Sequence, residues 1–304
     1  MTRSTAVRTR TAAAAAAGPA GPVVVAVLVT VVSWASAFVA IRAVRDSFDP
    51  GALALGRLLV GTVALGAALL VRRSWVRPTP REWRLVALCG VSWFAVYNVA
   101  LNAAEQRVDA GTAAMLINVG PILIALCAGA LLGEGFLRWL LIGAGVAFTG
   151  AVLIATATTA TATSDSWGVL LCLLAALAWA IGVLAQKPVL RPLPALQVTQ
   201  MACTVGALTC LPFAGPLLHN VQRAPAAALT ALIYLGLVPT AVAFGTWAYA
   251  LSRMDAGRLG VTTYLVPPLA VLIAWPVLGE TPPLLALLGG LLALVGISLT
   301  RRHP

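Results

Sequence analysis

The sequence predicts an all-α integral membrane protein of ten transmembrane helices, built as two inverted five-helix repeats with both termini in the cytoplasm. Three observations lead to this fold. The 304-residue chain is 61% hydrophobic and only 10% charged, whereas about a quarter of the residues of soluble domains are charged. Ten apolar segments are each long enough to cross roughly 30 Å of hydrocarbon as a helix. One pattern of residues also occurs twice.

The repeated pattern is read from residues that recur 146 positions later, as Pro121 and Pro267 do. Nearer the start of each copy the offset is 145, which pairs Trp34 with Trp179. A duplicated apolar chain is typical of a membrane carrier. The recurring residues are Arg107, Asp109, Ala110, Gly111, Pro121, Gly133, Glu134, Gly143 and Gly150, which return as Arg253, Asp255, Ala256, Gly257, Pro267, Gly279, Glu280, Gly289 and Gly296.

The domain boundaries follow from the apolar segments and the links between them. We expect a disordered cytoplasmic leader at 1–21, a first repeat at 22–157, a linker at 158–166 and a second repeat at 167–302. A signal peptide is the alternative for the leader, but the apolar segment after it is long enough to span the membrane. The predicted spans are 22–41, 51–71, 85–104, 110–132 and 139–157, then 167–186, 196–217, 228–250, 257–278 and 283–300.

An odd number of spans per repeat inverts the second copy, and the basic residues agree with that orientation. With both ends inside, 15 Lys and Arg residues lie in cytoplasmic segments and four in external ones, leaving Arg57 inside the second span. Basic residues are retained in cytoplasmic loops. The net charge of +11 therefore indicates membrane topology and contact with anionic lipid rather than nucleic-acid binding. The expected location is the plasma membrane.

Two prolines break the fourth and ninth spans at matching positions. Pro121 and Pro267 each remove a backbone donor and free a carbonyl group, so each marks either a rigid kink or a hinge. Asn118 and Tyr264 occupy matching positions about one turn earlier. Polar groups at mid-membrane are costly unless they face protein or water, so we predict that these two contact the substrate.

Other polar and aromatic side chains predict the rest of a central site. Asn98 and Asn102 lie on one face of the third span, where they either bind substrate or join helices. Thr240, Phe244 and Trp247 oppose them from the eighth span. Trp34, Phe38 and Trp179 could complete an aromatic box, although tryptophans near helix ends are often interfacial anchors.

Charged and small residues suggest further roles. Arg57 either binds an anionic group of the substrate or ties the second span to a neighbouring helix end. Glu134 and Glu280 follow glycines at helix junctions, where we expect each to stabilise the N-terminus of the next helix rather than carry protons. Gly143 and Gly150, with their copies, allow close packing either within the chain or across a homodimer.

Three functional classes are compatible with an integral membrane protein of this kind: a carrier, a channel and a membrane enzyme. A channel would need more charged residues along a pore, and no hydrolase, metalloprotease or lipid-phosphate motif is present. The five cysteines lie in apolar spans without metal-ligand spacing. We therefore predict a carrier for a small-molecule substrate, with no catalytic residue, metal or cofactor. We find no carboxylate at the predicted middle of a span. This favours facilitated diffusion or exchange over proton antiport.

The chain resembles the bacterial ten-helix carriers of the drug/metabolite transporter superfamily, EamA type. The resemblance covers about residues 22–302 and rests on the string from Trp34 to Arg42, on Arg57, and on the twice-used pattern of Pro121 with Gly133-Glu134 and Pro267 with Gly279-Glu280. It implies export, or less often exchange, of small organic solutes through a cavity between the repeats, lined mainly by helices 1, 3, 4, 6, 8 and 9. It implies no particular substrate, since members of the family handle amino acids, nucleobase-like metabolites and drugs. The aromatic residues and Arg57 favour a zwitterionic or apolar amino-acid-like solute.

Overall fold

All regular elements in the described part of the chain are helices. The computed structural model describes residues 20–107, 116–135, 138–158, 166–278 and 284–300, and none of them forms a strand. This confirms the all-α prediction. The helices are α1 (Ala20–Val44), α2 (Pro50–Arg72), α3 (Pro80–Ala104), α4 (Gly120–Leu131), α5 (Arg138–Thr158), α6 (Ser166–Val189), α7 (Ala195–Thr209), α8 (Ala214–Arg223), α9 (Ala226–Leu251), α10 (Ala256–Thr262), α11 (Val266–Leu278) and α12 (Leu284–Leu299).

Six helical stretches in the described residues are long and apolar enough to cross a membrane. They include α1, α2, α3, α6 and α9, and the sixth runs from Ala256 to Ile273 across α10 and α11. Shorter apolar helices lie at Gly120–Leu131, Arg138–Ile154 and Leu287–Leu299. The predicted ten spans each overlap one of these helices or a bent pair. Ten membrane crossings and the orientation of the termini stay predictions.

The seventh predicted span is not straight. Residues 196–217 were expected to form one helix, but α7 and α8 meet at an angle of 55°. Pro212 lies in the short 3₁₀ turn Leu211–Phe213 between them. Proline donates no backbone hydrogen bond and disfavours an α conformation in the residue before it, so α7 ends at Thr209.

Helix α3 starts with a capping box. The Thr79 hydroxyl accepts a hydrogen bond from the Glu82 amide at 3.4 Å, and the Glu82 carboxylate accepts one from the Thr79 amide at 2.7 Å. Pro80 stands in the first turn, where its missing N–H is not needed. The start of α3 is thus fixed by local sequence.

Helices α3 and α9 each contain a π-helical turn at the same place in the repeat. The turns cover Gly90–Tyr97 and Gly236–Val242, and their first residues are 146 positions apart. A Cβ atom at Gly90 would lie 2.7 Å from the Ala202 carbonyl oxygen, and one at Gly236 would lie 2.9 Å from that of Arg57. The lack of side chains lets α7 and α2 approach these turns. Such turns are rare in proteins, and those that occur often lie at functional sites.

Glycines also bring α5 and α12 into backbone contact. A Cβ atom at Gly143 would lie 2.5 Å from the Gly296 carbonyl oxygen, and one at Gly150 would lie 2.5 Å from that of Gly289. Of the two alternatives for these glycines, packing within the chain is therefore the one observed. The homodimer stays a prediction, and this packing within one chain gives no support for it.

Candidate functional site

Seven aromatic side chains from both repeats meet between the helices and are called the aromatic cluster below. Helices α1 and α3 of the first repeat and α6 and α9 of the second contribute them. Trp93, Phe244 and Trp247 are at most 3% exposed. The members are Trp34, Trp93, Phe94, Tyr97, Trp179, Phe244 and Trp247.

The rings of the aromatic cluster contact one another closely. The centroids of Phe94 and Phe244 are 4.4 Å apart, and those of Trp93 and Phe244 are 4.8 Å apart at an interplanar angle of 63°. Trp34 lies 5.1 Å from Trp247. Edge-to-face and tilted arrangements at these distances are favourable. The cluster joins the two repeats through an apolar, polarisable surface.

Four of the residues predicted for the site lie in this cluster: Trp34, Trp179, Phe244 and Trp247. Phe38 does not. It packs instead with Val31, Ala35 and Val266, beside α11. The cluster is thus the part of the predicted aromatic box that the fold brings together.

Trp93, Phe94 and Tyr97 were not among the predicted site residues. All three lie in the π-helical turn of α3, and a regular α-helical period of 3.6 residues does not describe which faces they occupy. The aromatic run between Ser92 and Asn98 was a signal in the sequence. The turn itself was not predicted.

The three tryptophans of the cluster that were predicted differ in their hydrogen bonding. The indole N–H group of Trp34 donates to the Pro239 carbonyl oxygen of α9 at 3.3 Å. The indole nitrogens of Trp179 and Trp247 are buried, and no described residue accepts a hydrogen bond from either. Two buried indole N–H groups of the aromatic cluster therefore have no acceptor among the described residues.

The two predicted asparagines of α3 bond to backbone carbonyl groups. The Asn98 amide donates to Phe94 O at 2.8 Å and to Trp93 O at 3.3 Å, both in the π-helical turn. The Asn102 amide donates to Pro50 O at 2.9 Å, which links α3 to the start of α2. For Asn102 this is the helix-joining contact that was one of the two alternatives. Its side-chain oxygen has no partner among the described residues.

Arg57 contacts the other π-helical turn. Its Nε donates to the Thr240 hydroxyl at 3.0 Å, and that hydroxyl donates to Leu235 O at 2.8 Å. Arg57 is 5% exposed and Thr240 is fully buried. The contact supports the reading in which Arg57 ties α2 to a neighbouring helix. Thr240 also stands one helical turn before Phe244, so the cation lies near the aromatic cluster.

Asn118 and Tyr264, the matching pair, contact each other directly. The Tyr264 hydroxyl donates to the Asn118 backbone carbonyl at 2.8 Å, and the tyrosine is fully buried. Each residue lies in a break, the first just before α4 and the second between α10 and α11. Pro121 and Pro267 follow in the first turn after each break. Hinge motion at these prolines stays a prediction.

Glu134 stabilises the N-terminus of a helix in the other repeat. Its two carboxylate oxygens accept hydrogen bonds from the Ala256 and Gly257 amides at 2.7 and 3.1 Å. These amides begin α10 of the other repeat, not α5, because Gly133 and Gly135 with φ of 71° and 75° turn the chain after α4. Glu280, the matching carboxylate, lies outside the described residues.

Lys187 holds the same end of the bundle. Its Nζ donates to the Leu251 and Met254 carbonyl oxygens at 2.7 and 2.6 Å. Cations are favourable at helix C-termini, and here the cation sits at the end of α9. Lys187 and Glu134 together fix the two ends of the 252–255 turn.

The described residues hold no group of three or more His, Cys, Asp or Glu side chains that could bind a metal ion. The cysteines among them are free.

Comparison with known proteins identifies the kind of molecule. The model of the EamA-like transporter family matches residues 21–156 and again 166–302. A protein of Streptantibioticus cattleyicolor described as a probable terminal-alkyne amino-acid exporter is 40% identical over 277 residues, covering 90% of this chain and 91% of that protein. The uncharacterized transporter YdfC of Bacillus subtilis is 34% identical, covering 88% and 87%.

More distant likenesses agree with these. The uncharacterized inner membrane transporter YedA of Escherichia coli K12 is 25% identical, covering 82% of this chain and 81% of that protein. One solved crystal structure, 20% identical, superposes with a TM-score of 0.75 and covers 92% of this chain and 96% of its own. That likeness shows a shared fold.

Proposed function

The chain belongs to the EamA-like transporter family and is a multi-pass membrane transporter rather than an enzyme, and we propose that it exports small amino-acid-like solutes across the plasma membrane. The aromatic cluster carries this proposal. Its rings come from both repeats and lie between α1, α3, α6 and α9. Carriers built from inverted repeats bind substrate at the interface between the repeats.

The substrate class follows from the chemistry of that cluster. Aromatic rings contact apolar and unsaturated side chains favourably, so a compact solute with an aliphatic, alkyne or aromatic side chain fits these surroundings. The Streptantibioticus cattleyicolor relative is named for terminal-alkyne amino acids. An alkyne combines a small apolar volume with π electrons, which agrees with an aromatic site. L-Propargylglycine, a terminal-alkyne amino acid, is therefore the first probe.

The proposed mechanism is alternating access around the aromatic cluster. The breaks at 118–119 and at Thr263–Leu265 stand at matching places in the two repeats. We propose that each repeat bends at its break. Glu134 joins the end of α4 to the start of α10. Because this contact crosses from one repeat to the other, we propose that it closes one side of the carrier and separates when that side opens.

The distribution of carboxylates favours facilitated diffusion or exchange. Within the described helices the only acidic residue is Glu82, in the first turn of α3, and Glu105 directly follows the last residue of the same helix. Proton relays in transporters use acidic or histidine side chains within the membrane. We therefore propose that solute movement is not coupled to protons.

Efflux from proteoliposomes tests the proposal. Vesicles holding the purified protein, a trapped pH dye and a mixture of L-propargylglycine, other amino acids and unrelated metabolites are diluted, and released solutes are identified by mass spectrometry. The expected result is selective, saturable release of amino acids without a proton signal. Protein-free vesicles are the control.

Three other outcomes would count against it. No release of any amino acid in either gradient direction would reject the substrate class. A matching pH change would reject uncoupled transport. Conductance in a planar bilayer, with release that does not saturate, would favour a channel-like facilitator.

A further inference from the structure

Trp179 and Trp247 bury donors that nothing in the described chain satisfies. Trp247 is fully buried and Trp179 is 6% exposed, and neither indole nitrogen has a hydrogen-bond partner among the described residues. Native proteins pair most buried polar groups, so each exception calls for an explanation. Trp34 shows what a satisfied indole looks like in the same cluster, because its N–H group donates to Pro239 O.

The chemistry of the indole limits what could satisfy the two donors. An indole N–H group is a hydrogen-bond donor only. An ammonium or alkyl group has no acceptor atom and cannot pair with it. The two donors come from different helices, α6 and α9, and their ring centroids are 6.4 Å apart. A ligand with two acceptor atoms on one group matches two neighbouring donors. The carboxylate is the group of an amino acid that has this property.

A cation contacts the same helix, α9, that carries Trp247. Arg57 Nε contacts Thr240, one helical turn before Phe244, whose ring contacts those of Trp34, Trp93 and Phe94. Arginine keeps its positive charge in proteins. Apolar surroundings screen this charge poorly, and Glu105 already interacts with it electrostatically, so the two indole donors carry the assignment.

We propose that the indole N–H groups of Trp179 and Trp247 bind the carboxylate of the transported solute, while the neighbouring rings contact its apolar side chain. This assignment rests on the proposed function, since it places the solute in the aromatic cluster. It makes the two tryptophans specificity-determining residues for carboxylate-bearing solutes. The competing explanation is that both rings serve packing alone.

Replacing each tryptophan by phenylalanine separates these explanations, because phenylalanine keeps an aromatic ring and removes the N–H group. Three probes share the butynyl chain: L-propargylglycine carries a carboxylate and an ammonium, pent-4-ynoate only the carboxylate, and but-3-yn-1-amine only the ammonium. Affinities of the purified protein in detergent are measured from ligand-dependent shifts in thermal unfolding. Trp275→Phe, at a half-exposed position of α11, is the matched control.

The expected result is a selective loss. Trp179→Phe and Trp247→Phe should each weaken binding of L-propargylglycine and pent-4-ynoate about tenfold, the size expected for one hydrogen bond to a charged group. Binding of but-3-yn-1-amine should be unchanged, and Trp275→Phe should change none of the three affinities. Equal losses for all probes, or no loss, would overturn the assignment in favour of packing.

Failure of this assignment and failure of the proposed function give different results. If the unchanged protein binds pent-4-ynoate but not the amino acid, amino-acid export fails and the carboxylate site stands. If it binds the amine as well as the amino acid and does not bind the acid, the carboxylate site fails and export stands. Each variant is informative alone, so the test survives if the other does not fold.

Discussion

The Tyr264 hydroxyl donates a hydrogen bond to the Asn118 backbone carbonyl at 2.8 Å, although the two residues stand at the same position of opposite repeats. The bond therefore crosses from one repeat to the other and joins the break before α4 to the break after α10. Because the bond uses the Asn118 backbone, replacing the Asn118 side chain leaves it in place. This separates the two residues in an experiment.

Tyr264→Phe should lower the free energy of unfolding by about 1 kcal/mol, because the buried Asn118 carbonyl loses a donor. Asn118→Leu keeps the backbone carbonyl and therefore this hydrogen bond, and it should lower flux. Thermal unfolding and proteoliposome efflux of both variants measure the two effects. Unchanged flux in Asn118→Leu would remove that side chain from the substrate site.

Arg57 and Thr240 should behave as a coupled pair. Thr240→Val removes the acceptor of Arg57 Nε and leaves a buried cation with one bond fewer, so it should destabilise the protein by about 1–2 kcal/mol. The double variant with Arg57→Met should be more stable than the sum of the two single losses predicts. A double-mutant cycle measures this coupling. Strict additivity would mean that Arg57 depends on other partners.

Arg57→Met also tests whether the arginine binds substrate. If it serves only to tie α2 to α9, flux should fall in proportion to the amount of folded protein. Loss of flux in a protein of unchanged stability would instead indicate contact with the solute.

Gly150→Leu should destabilise the protein by about 3 kcal/mol, because a Cβ atom there would lie 2.5 Å from the Gly289 carbonyl oxygen and overpacking costs this much. Gly145→Ala on the same helix is the control, since nothing lies within 4 Å of its Cβ position. It should be neutral or up to about 1 kcal/mol more stable. Thermal unfolding of both decides; equal stability would contradict the backbone contact.

Glu134→Gln should weaken the contact between α4 and α10 by about 1–2 kcal/mol, because it removes a charge from a helix N-terminus. The same change at Glu82, which caps α3 locally, should cost less and leave flux unchanged. We expect Glu134→Gln to change the transport rate as well. Equal rates in both variants would reject a closing role for this contact.

Gln186→Met should stabilise the protein. Gln186 is fully buried, and neither its side-chain oxygen nor its nitrogen has a partner among the described residues. Replacing such a group by an apolar one of similar shape is neutral or favourable, since each unmade bond costs about 1–3 kcal/mol. A lower melting temperature would show that the amide has a partner.

The sequence was sufficient to predict the helical fold and the family, because composition and the repeated residues are long-range patterns. It also brought Trp34, Trp179, Phe244 and Trp247 into one site, because the repeat pairs the first two and the helical period joins the last two. Phe38 lies outside that cluster and packs beside α11 instead. Only the packing of α1 against α11 decides that orientation.

The irregular backbone was the part that could not be predicted. Gly90 and Gly236 gave no local signal for a π-helical turn, and the close approach of α7 and α2 to these glycines is a contact between distant segments. The same limit applies to Glu134. Its sequence position suggested the next helix, but the partner amides belong to the other repeat, and contacts between distant segments have no signature in a single sequence.

The contact between α5 and α12 has a further consequence for the origin of the chain. Gly143 meets Gly296 and Gly150 meets Gly289, while Gly143 corresponds to Gly289 and Gly150 to Gly296 in the duplication. Each repeat thus presents the same patch to the other, as subunits do in an isologous dimer. A single five-helix ancestor with this patch would carry a surface complementary to that of a second copy of itself. Gene fusion would then have preserved a self-complementary surface that existed before the two halves were joined.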